Sequence, residues 1–487
     1  MSVLAQSDTH WRIARAEKLR IIIDAADYFR AAKAAMLLAR HSIMLIGWDF
    51  DTRIPLEPAG ATLEGPNELG DFLKFLPERQ EGLRIYMLKW DIGMLQGIER
   101  GMLPVIITDL LTSSELSFKL DTVHPTGAAH HSKIVVIDDR FAFCGGIDMT
   151  DERWDTPAHE DDEPHRVTVG GEPAKPWHDA TIAVSGPIAG ALGDLARERW
   201  RRATGDTLEP PAAGDPIWPD HLTPNLTDVP VAIARTFPEF DGYPEVREIE
   251  AFYLAAFASA ERTLYIESQY LASQRLTEAL AARLAEPDGP EIVIVLPQNA
   301  EGWLRRKAMD GARHHMLRLL WDADVHGRFG AYYPVTAGGG AIYVHAKVLV
   351  LDDRALRVGS SNLNNRSMGF DTETDLIIDA EHEGSDSEAV RAAILDVRDG
   401  LVCEHLGIER EALHAAMTEA DGSLRGAIEA LRGDGRSLRP FTPEAVAGED
   451  SVLTENAFAD PEAAETLGDR LVGGVTDLVR RAADQSS

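Results

Sequence analysis

Two copies of one short pattern contain the residues best suited to chemistry. Residues 131–138 read HSKIVVID and residues 345–352 read HAKVLVLD, so both follow H-x-K-x4-D. Side chains two positions apart lie on the same face of a strand, so the histidine and lysine of each copy project together. An imidazole is a nucleophile or an acid and base near neutral pH, and an ammonium group attracts phosphate oxygens. Two facing copies would present both pairs to one phosphodiester.

Two carboxylates stand in equivalent places after the motifs. A histidine in such a site needs an acid on its other ring nitrogen to orient it. Asp179 and Glu373 each begin an apolar strand, 48 and 28 residues after the motif histidine, so the first half carries an insertion at roughly residues 149–177. The residues that we predict to be catalytic are His131, Lys133, His345, Lys347, Asp179 and Glu373.

A turn of small residues follows each motif. Residues 145–148 read GGID and residues 359–362 read GSSN, and their last residues both lie 17 positions after the motif histidine. Asn362 can offer phosphate a neutral donor. Asp148 cannot donate when ionised, so we expect it to orient a neighbouring lysine or histidine.

Other polar residues near the motifs are expected to have structural roles. Asp138 and Asp352 end the motif strands and are predicted to anchor the turns that follow. His130 points to the opposite face of the strand from His131, which indicates a packed or capping side chain. We interpret a further set in the same way: His124, His159, His178, His314 and His315.

The elements that must position these residues also occur twice. Residues 39–50 and 260–270 each read as a helix end followed by a buried strand, and residues 83–90 and 291–297 each read as a second apolar strand. Short β-rich runs separated by helical stretches indicate α/β layers. We therefore predict an α/β fold of two similar lobes related by a pseudo-twofold axis, each a β-sheet flanked by helices.

The expected domain boundaries follow from composition. Six prolines between residues 210 and 230 exclude a regular helix and favour an extended linker, and helical patterns replace strand patterns after about residue 385. We predict a first lobe over residues 1–205, a linker over 206–230, a second lobe over 231–400 and a helical, acidic C-terminal segment over 401–487.

The composition limits the partners. The formal net charge of −32 disfavours nucleic acid and strongly anionic membranes, so any positive site must be local. Two cysteines exclude a disulfide framework, and the paired lysines would repel a metal ion, so we expect no cofactor and no metal in the chemistry. The sequence shows no signal peptide and no membrane span, which favours a cytoplasmic protein at the membrane periphery; export without a signal peptide stays open.

The duplicated motif resembles the phospholipase D superfamily, whose members pair two such motifs across a pseudo-twofold interface. Further segments resemble its phospholipase branch: GWDFD at 47–51, RWDTP at 153–157, PWHD at 176–179 and YIESQY at 265–270. The resemblance covers roughly residues 15–380. It implies that one chain holds a complete active site; the oligomeric state is left open.

The resemblance also implies catalytic roles for the motif histidines and binding roles for the motif lysines. One motif histidine would attack phosphorus and form a phosphohistidine, and the other would protonate the leaving alcohol and then activate water. The usual order in the family makes His131 the nucleophile and His345 the acid and base, although the near-symmetric sequence does not decide between them. The motif lysines would bind the nonbridging oxygens. The residues expected to contact substrate are Asn362, Asp148, Ser360, Gly145, Gly146, Trp48 and Gln269.

These roles predict hydrolysis of glycerophospholipids to phosphatidic acid and a free headgroup alcohol, with transphosphatidylation when a primary alcohol replaces water. A cardiolipin synthase-like transferase is the first alternative, and the absence of an apolar membrane span disfavours it. A nuclease or other phosphodiesterase is a weaker alternative because of the net charge. The expected lipid contact is peripheral and reversible.

Overall fold

The fold is built around one large, mixed β-sheet. The computed structural model describes residues 2–91, 114–300 and 309–443 together with Asp460. Within them, sixteen strands form one sheet and two short strands form a second. The strands of the first half are β1 (Arg12–Ile23), β2 (Ser42–Gly47), β3 (Arg84–Trp90), β4 (Leu116–Asp121), β5 (Ile134–Ile137), β6 (Phe141–Gly145), β7 (Trp177–His178) and β8 (Ala180–Ser185).

The second half contributes ten strands and most of the helices. Its strands are β9 (Leu226–Phe237), β10 (Val246–Arg247), β11 (Thr263–Glu267), β12 (Glu291–Val295), β13 (Phe329–Val335), β14 (Tyr343–Val344), β15 (Val348–Leu351), β16 (Ala355–Gly359), β17 (Glu373–Asp379) and β18 (Ser437–Pro440). The α-helices are α1 (Ala25–Met36), α2 (Leu69–Arg79), α3 (Pro187–Thr204), α4 (Glu248–Ser259), α5 (Gln274–Ala285), α6 (Gly311–Ala323), α7 (Ser387–Leu406), α8 (Arg410–Glu419) and α9 (Leu424–Leu431). A 3-10 turn covers Val3–Ala5 and a π-turn covers Arg366–Phe370.

The strand order is the same in both halves. From the centre outwards the first half runs β1-β8-β6-β5-β2-β3-β4, and the second runs β9-β17-β16-β15-β11-β12-β13 with β18 at the edge. Strands β1 and β9 join the halves in antiparallel register, with Arg12 opposite Ile233 and Leu19 opposite Leu226. The predicted α/β fold is confirmed, and the repeated order agrees with a duplication.

Both faces of the sheet are covered, which explains the continuous apolar runs in the motif strands. In β2, Ile43 packs on the side of α1 and α2, whereas Met44 packs on the side of α3. In β15, Leu349 faces the core of α4 to α6, and Val348 and Val350 face the core that α3 and α7 share. Each motif therefore begins directly before a strand that is buried on both faces.

The predicted linker differs from the structure at its end. Residues 206–225 contain no helix or strand, but β9 begins at Leu226 and includes Pro230. A proline is tolerated there because this part of β9 pairs only with β1, while pairing with β17 begins at Ala232.

The C-terminal region also departs from the expected all-helical pattern. Helix α7 runs across the expected boundary at residue 400, and β18 adds a strand beside β13. Residues 444–459 and 461–487 of the predicted helical segment lie outside the described residues. Among the described residues, no helix is long and apolar enough to cross a membrane.

Candidate active site

The two motifs start at the junction of the halves, and each start is held by the other half. The backbone N–H groups of His131 and Ser132 both donate to the Thr372 carbonyl oxygen at 2.9 Å. The His345 N–H donates to the His178 carbonyl oxygen at 2.8 Å. Thr372 and His178 directly precede the predicted carboxylates, so these bonds set the distance between each histidine and an acid of the opposite half.

The histidine–carboxylate pairs are crossed between the halves. His131 Nδ1 lies 3.0 Å from Glu373 Oε2, and His345 Nδ1 lies 2.6 Å from Asp179 Oδ2. The repeat pattern nominated both acids but did not say which histidine each would meet. Because Nδ1 is engaged in both pairs, Nε2 is the ring nitrogen left to meet a substrate.

Burial and positive charge keep both imidazoles neutral. The side chains of His131 and His345 are 15% and 8% exposed. Burial lowers the pKa of both well below the usual value, and the motif lysines lower it further. The pKa of His345 is also lowered by His131, so the two rings interact electrostatically across the junction. A neutral imidazole is the form that can attack phosphorus.

The two acids respond to burial in the opposite direction. Glu373 and Asp179 are both fully buried. Burial raises the pKa of Glu373 to about 7, with the nearby hydroxyls and lysines opposing it, and burial also raises the pKa of Asp179. When ionised, each carboxylate can stabilise a transient imidazolium on the histidine that it contacts.

The lysine of the first motif has an acidic partner. Lys133 Nζ lies 3.1 Å from Asp148 Oδ2 and donates to the His131 carbonyl oxygen at 2.9 Å. Asp148 thus contacts a motif lysine, which is one of the two roles expected for it. The pairing holds the ammonium beside the histidine of its own motif.

The lysine of the second motif is in a different environment. Lys347 Nζ donates to the His345 carbonyl oxygen, and within the described ranges it forms no ion pair with a carboxylate. Burial lowers the pKa of Lys347 to about 7, and Asp179 opposes this shift. Asn362, which stands where the first half has Asp148, is 3% exposed, and its Oδ1 has no hydrogen-bond partner in the part of the chain that the structure describes. The second half therefore has an amide where the first half has the carboxylate that pairs with Lys133, and Lys347 has no carboxylate partner among the described residues.

Two serines support Glu373. The hydroxyls of Ser360 and Ser367 donate to its two oxygens at 2.5 Å and 2.6 Å. Ser360 was expected to contact substrate, but it is completely buried and its hydroxyl is used by the carboxylate. Ser367 was missed by the sequence analysis because it belongs to no repeated pattern.

The two glycines of the first turn allow close approach of neighbouring groups. A Cβ on Gly146 would lie 2.2 Å from Asp179 Oδ1, and a Cβ on Gly145 would lie 2.4 Å from Thr181 Cα. A side chain at Gly146 would displace the acid that pairs with His345. The geometry makes room for Asp179 and for strand β8, and the predicted contact of both glycines with substrate stays a prediction.

Aromatic rings flank both histidines. The Trp48 ring centre lies 6.5 Å from that of His131, and Lys133 Nζ lies 6.0 Å from the Trp48 centre. On the other side, the Trp177 ring centre is 5.2 Å from that of His345. Trp48 is partly exposed, and its contact with substrate stays a prediction.

A further cation lies on the His345 side. The Arg153 guanidinium carbon stands 4.0 Å from the Trp177 ring centre, and its charge lowers the pKa of His345. Arg153 is 5% exposed, and no carboxylate among the described residues forms an ion pair with it. In the sequence, Arg153 is one of several charged residues of the insertion. Its sole signal was the RWDTP segment.

The remaining predicted residues lie in the surrounding framework. Gln269 Nε2 donates to the Tyr343 hydroxyl at 2.9 Å, and Gln269 is 8% exposed. His130 is buried and bonds Thr372 Oγ1 through Nδ1 at 3.1 Å, consistent with a packed histidine. Asp138 and Asp352 accept backbone hydrogen bonds and do not reach the histidines.

Comparison with known proteins finds a matching family model and relatives in plants and in Dictyostelium. Residues 253–391 match the family described as "Cardiolipin synthase, PLD-like domain". The chain is 25% identical to phospholipase D alpha 1 of Nicotiana tabacum, with 77% of this chain and 63% of the tobacco protein covered. It is 23% identical to phospholipase D A of Dictyostelium discoideum, with 80% and 36% covered. The chain thus spans less than two thirds of the length of these relatives.

One solved structure shares the fold. A phosphatidylserine synthase of Haemophilus influenzae Rd KW20 superposes with a TM-score of 0.55 at 12% identity, and the match covers 81% of this chain and 89% of that one. At this identity the likeness concerns the fold alone.

Proposed function

Because this chain belongs to the phospholipase D superfamily, we propose that it hydrolyses glycerophospholipids on the headgroup side of phosphorus and releases phosphatidic acid and a free alcohol. The observation that carries the proposal is the crossed arrangement of His131–Glu373 and His345–Asp179. Two oriented imidazoles from opposite halves supply a nucleophile and an acid to one phosphorus atom.

The first step uses one imidazole for attack and the other for protonation. We assign attack to His131 Nε2, which forms a bond to phosphorus while the bond to the headgroup oxygen breaks. Protonated His345 gives its Nε2 proton to that oxygen. The negative charge of the bound phosphate offsets the cations that lower the pKa of His345, so substrate binding favours the protonated acid.

The second step reverses the proton transfer. His345, now neutral, takes a proton from water as the water oxygen attacks phosphorus, and the bond to His131 breaks. Glu373 and Asp179 stabilise the imidazolium that appears on their own histidine in each step. A primary alcohol that enters in place of water yields a phosphatidylalcohol.

The cationic groups bind the phosphate. Lys133 and Lys347 are assigned to the nonbridging oxygens, with Asn362 as a neutral donor. Arg153 adds a guanidinium on the His345 side. These local charges explain how a chain with a net charge of −32 can hold a phosphodiester.

A lipid substrate fits the molecule better than nucleic acid. The net charge opposes a long polyanion, and the plant and Dictyostelium relatives are named phospholipases D. The match of residues 253–391 to a family named for cardiolipin synthase favours one second candidate, transfer to a lipid alcohol. Contact with the membrane is proposed to be peripheral, on its cytoplasmic side.

The test is a product assay with defined lipids. The purified chain is incubated with phosphatidylcholine vesicles in the presence and absence of 1-butanol, and lipids are resolved by mass spectrometry. We expect phosphatidic acid without the alcohol and phosphatidylbutanol with it, and neither product from His131→Ala. Product only when phosphatidylglycerol serves as acceptor would favour the transferase. Cleavage of DNA without any lipid product would overturn the proposal.

A further inference from the structure

A second group of imidazoles and carboxylates lies directly behind Asp179. His178 precedes that residue, and Asp24 is tied to it by two hydrogen bonds: Asp24 N–H to the Asp179 carbonyl oxygen at 2.8 Å, and Asp179 N–H to Asp24 Oδ1 at 3.1 Å. His159 from the insertion and Glu404 from α7 complete the group. The side chains of Asp24, His159 and His178 are fully buried and that of Glu404 is 9% exposed.

The four side chains lie close enough together to surround one ion, with their ligand atoms within 4.8 Å of one another. His159 Nε2 lies 3.2 Å from Glu404 Oε1 and 3.4 Å from Asp24 Oδ2. His178 Nδ1 lies 2.8 Å from Glu404 Oε1 and 3.4 Å from Asp24 Oδ1. A tetrahedral zinc ion with bonds of about 2.0–2.1 Å separates its ligand atoms by about 3.3–3.4 Å. An ion would fit with small adjustments of side chains.

Each imidazole is also oriented as a metal ligand would be. His159 turns Nε2 to the centre and holds Asp155 Oδ2 through Nδ1 at 2.8 Å. His178 turns Nδ1 to the centre and holds Glu267 Oε2 through Nε2 at 2.9 Å. A carboxylate on the far nitrogen fixes the tautomer and raises the basicity of a metal-binding histidine. Both histidines have such a partner.

One oxygen atom in the group lacks a hydrogen-bond partner among the described residues. Asp24 Oδ2 is buried and has no hydrogen-bond partner within the described ranges, although it points toward His159. A buried carboxylate oxygen without a donor is costly. A cation at the centre would satisfy it, and the two carboxylates of Asp24 and Glu404 would balance two positive charges.

From this geometry we propose that Asp24, His159, His178 and Glu404 bind one zinc-type divalent cation. Two imidazole donors favour zinc or a similar transition metal over calcium and magnesium, which take oxygen ligands. The ion would not touch phosphate. It would join the insertion, the start of α1 and the end of α7, and would fix the backbone of Asp179, making these four residues positioning residues for the His345 pair. This inference does not depend on which phosphodiester the enzyme cleaves.

The direct test is metal binding by the full chain. The protein is stripped with a chelator, dialysed and titrated with Zn²⁺ in competition with a chromogenic chelator, with Ca²⁺ as the comparison ion. We expect one Zn²⁺ per chain, a thermal midpoint that rises on zinc addition and not on calcium addition, and X-ray absorption that shows two imidazole nitrogens and two oxygens at about 2.0–2.1 Å without sulfur.

Variants locate the ion. Glu404→Gln and His159→Gln should each weaken zinc binding by more than the roughly 10- to 100-fold loss typical when only an outer partner is changed. The matched control is His165→Gln, which removes an exposed histidine of the same insertion. Zinc that is lost only in His131→Asn or His345→Asn, or that shows no imidazole in its absorption spectrum, would overturn the proposal, as would a failure of the unsubstituted chain to bind zinc. The spectrum needs no variant, so a folding defect cannot hide the answer.

Discussion

At the residue scale, the site differs from what its near-symmetric sequence suggests. Lys133 pairs with the carboxylate of Asp148, whereas Lys347 forms no ion pair among the described residues and the second half has Asn362 in the place of Asp148. The sequence revealed that inequality through Asp148 and Asn362, because the two residues occupy the same place in the repeat. It did not reveal the contact of Ser360 with Glu373, because a buried hydroxyl and a substrate-binding hydroxyl look alike in sequence.

The roles of the two histidines can be separated by trapping the intermediate. With His345→Asn, attack by His131 is still available but water activation is lost, so a phosphoenzyme should accumulate slowly on a substrate with a good leaving group. With His131→Ala no adduct should form, and turnover should fall by about 10³-fold or more in both variants. Mass spectrometry of tryptic peptides, handled so that the acid-labile adduct survives, identifies the histidine that carries it. An adduct on His345 would reverse the assignment.

The buried ammonium of Lys347 predicts an unusual dependence of stability on pH. Burial lowers its pKa to about 7, whereas the unfolded chain keeps the ordinary value of 10.5. Between these values the unfolded state binds a proton that the folded state lacks, so this group makes unfolding less favourable as pH rises. Below pH 7 both states are protonated and the full cost of the buried charge remains.

Replacing Lys347 with methionine removes that cost together with the activity. Lys347→Met should therefore raise the urea midpoint at pH 7, and its advantage over the wild type should shrink by up to about 1.4 kcal/mol per pH unit between pH 7 and 9. Lys119→Met serves as the control, because Lys119 is an exposed lysine of β4. A difference in stability that stays constant with pH would contradict the proposed burial effect.

At the element scale, the sequence predicted the strands well and their partners poorly. The apolar runs at 134–137 and 348–351 are β5 and β15, as their composition indicates. Each motif histidine pairs with a carboxylate of the opposite half, at a separation of 166 or 242 residues in the chain. The periodicity of a segment carries no information about contacts between residues so far apart. The role of Pro230 in β9 was hidden for the same reason.

The motif aspartates are expected to stabilise the fold and not the chemistry. Asp138 accepts from the backbone N–H groups of Arg40, His41 and Ser42, and Asp352 accepts from the same three places in the second half, Glu261, Arg262 and Thr263. Both have positive φ, 52° and 49°. Each carboxylate thus ties the end of its motif strand to the start of the neighbouring strand.

Removing either aspartate should destabilise the chain without changing the active site. Asp138→Ala leaves three backbone N–H donors without an acceptor and should lower the free energy of unfolding by about 2–4 kcal/mol. Asp138→Asn keeps one acceptor oxygen and tolerates the positive φ, so the loss of stability should be smaller. Asp352→Ala and Asp352→Asn provide the matched pair in the other half. Urea midpoints measure the effect. If kcat at a permissive temperature fell by the 10³-fold expected for a catalytic residue, the structural assignment would be wrong.

At the scale of the whole molecule, the net negative charge opposes the binding of an anionic substrate, whereas the lysines of the proposed site favour it. The chain carries a formal net charge of −32, while the proposed phosphate-binding cations Lys133, Lys347 and Arg153 lie beside the carboxylates of Asp148, Asp179 and Glu373. Local cations in an acidic chain attract a phosphodiester only at short range, because charges farther apart than about 8–10 Å are screened at physiological salt.

This arrangement predicts that vesicle charge and salt act together on the rate. On pure phosphatidylcholine vesicles, hydrolysis should change little as NaCl rises from 0.05 to 0.5 M. On vesicles in which a third of the lipid is phosphatidylglycerol, the rate should be lower at 0.05 M NaCl and should rise with salt, since screening weakens the repulsion between the acidic chain and the anionic surface. Short-chain monomeric phosphatidylcholine, which has no surface, is the control and should show no such rise. Activation by anionic lipid at low salt would mean that a basic surface on the described or remaining residues governs membrane contact, and the net charge would then be a poor guide to where this protein works.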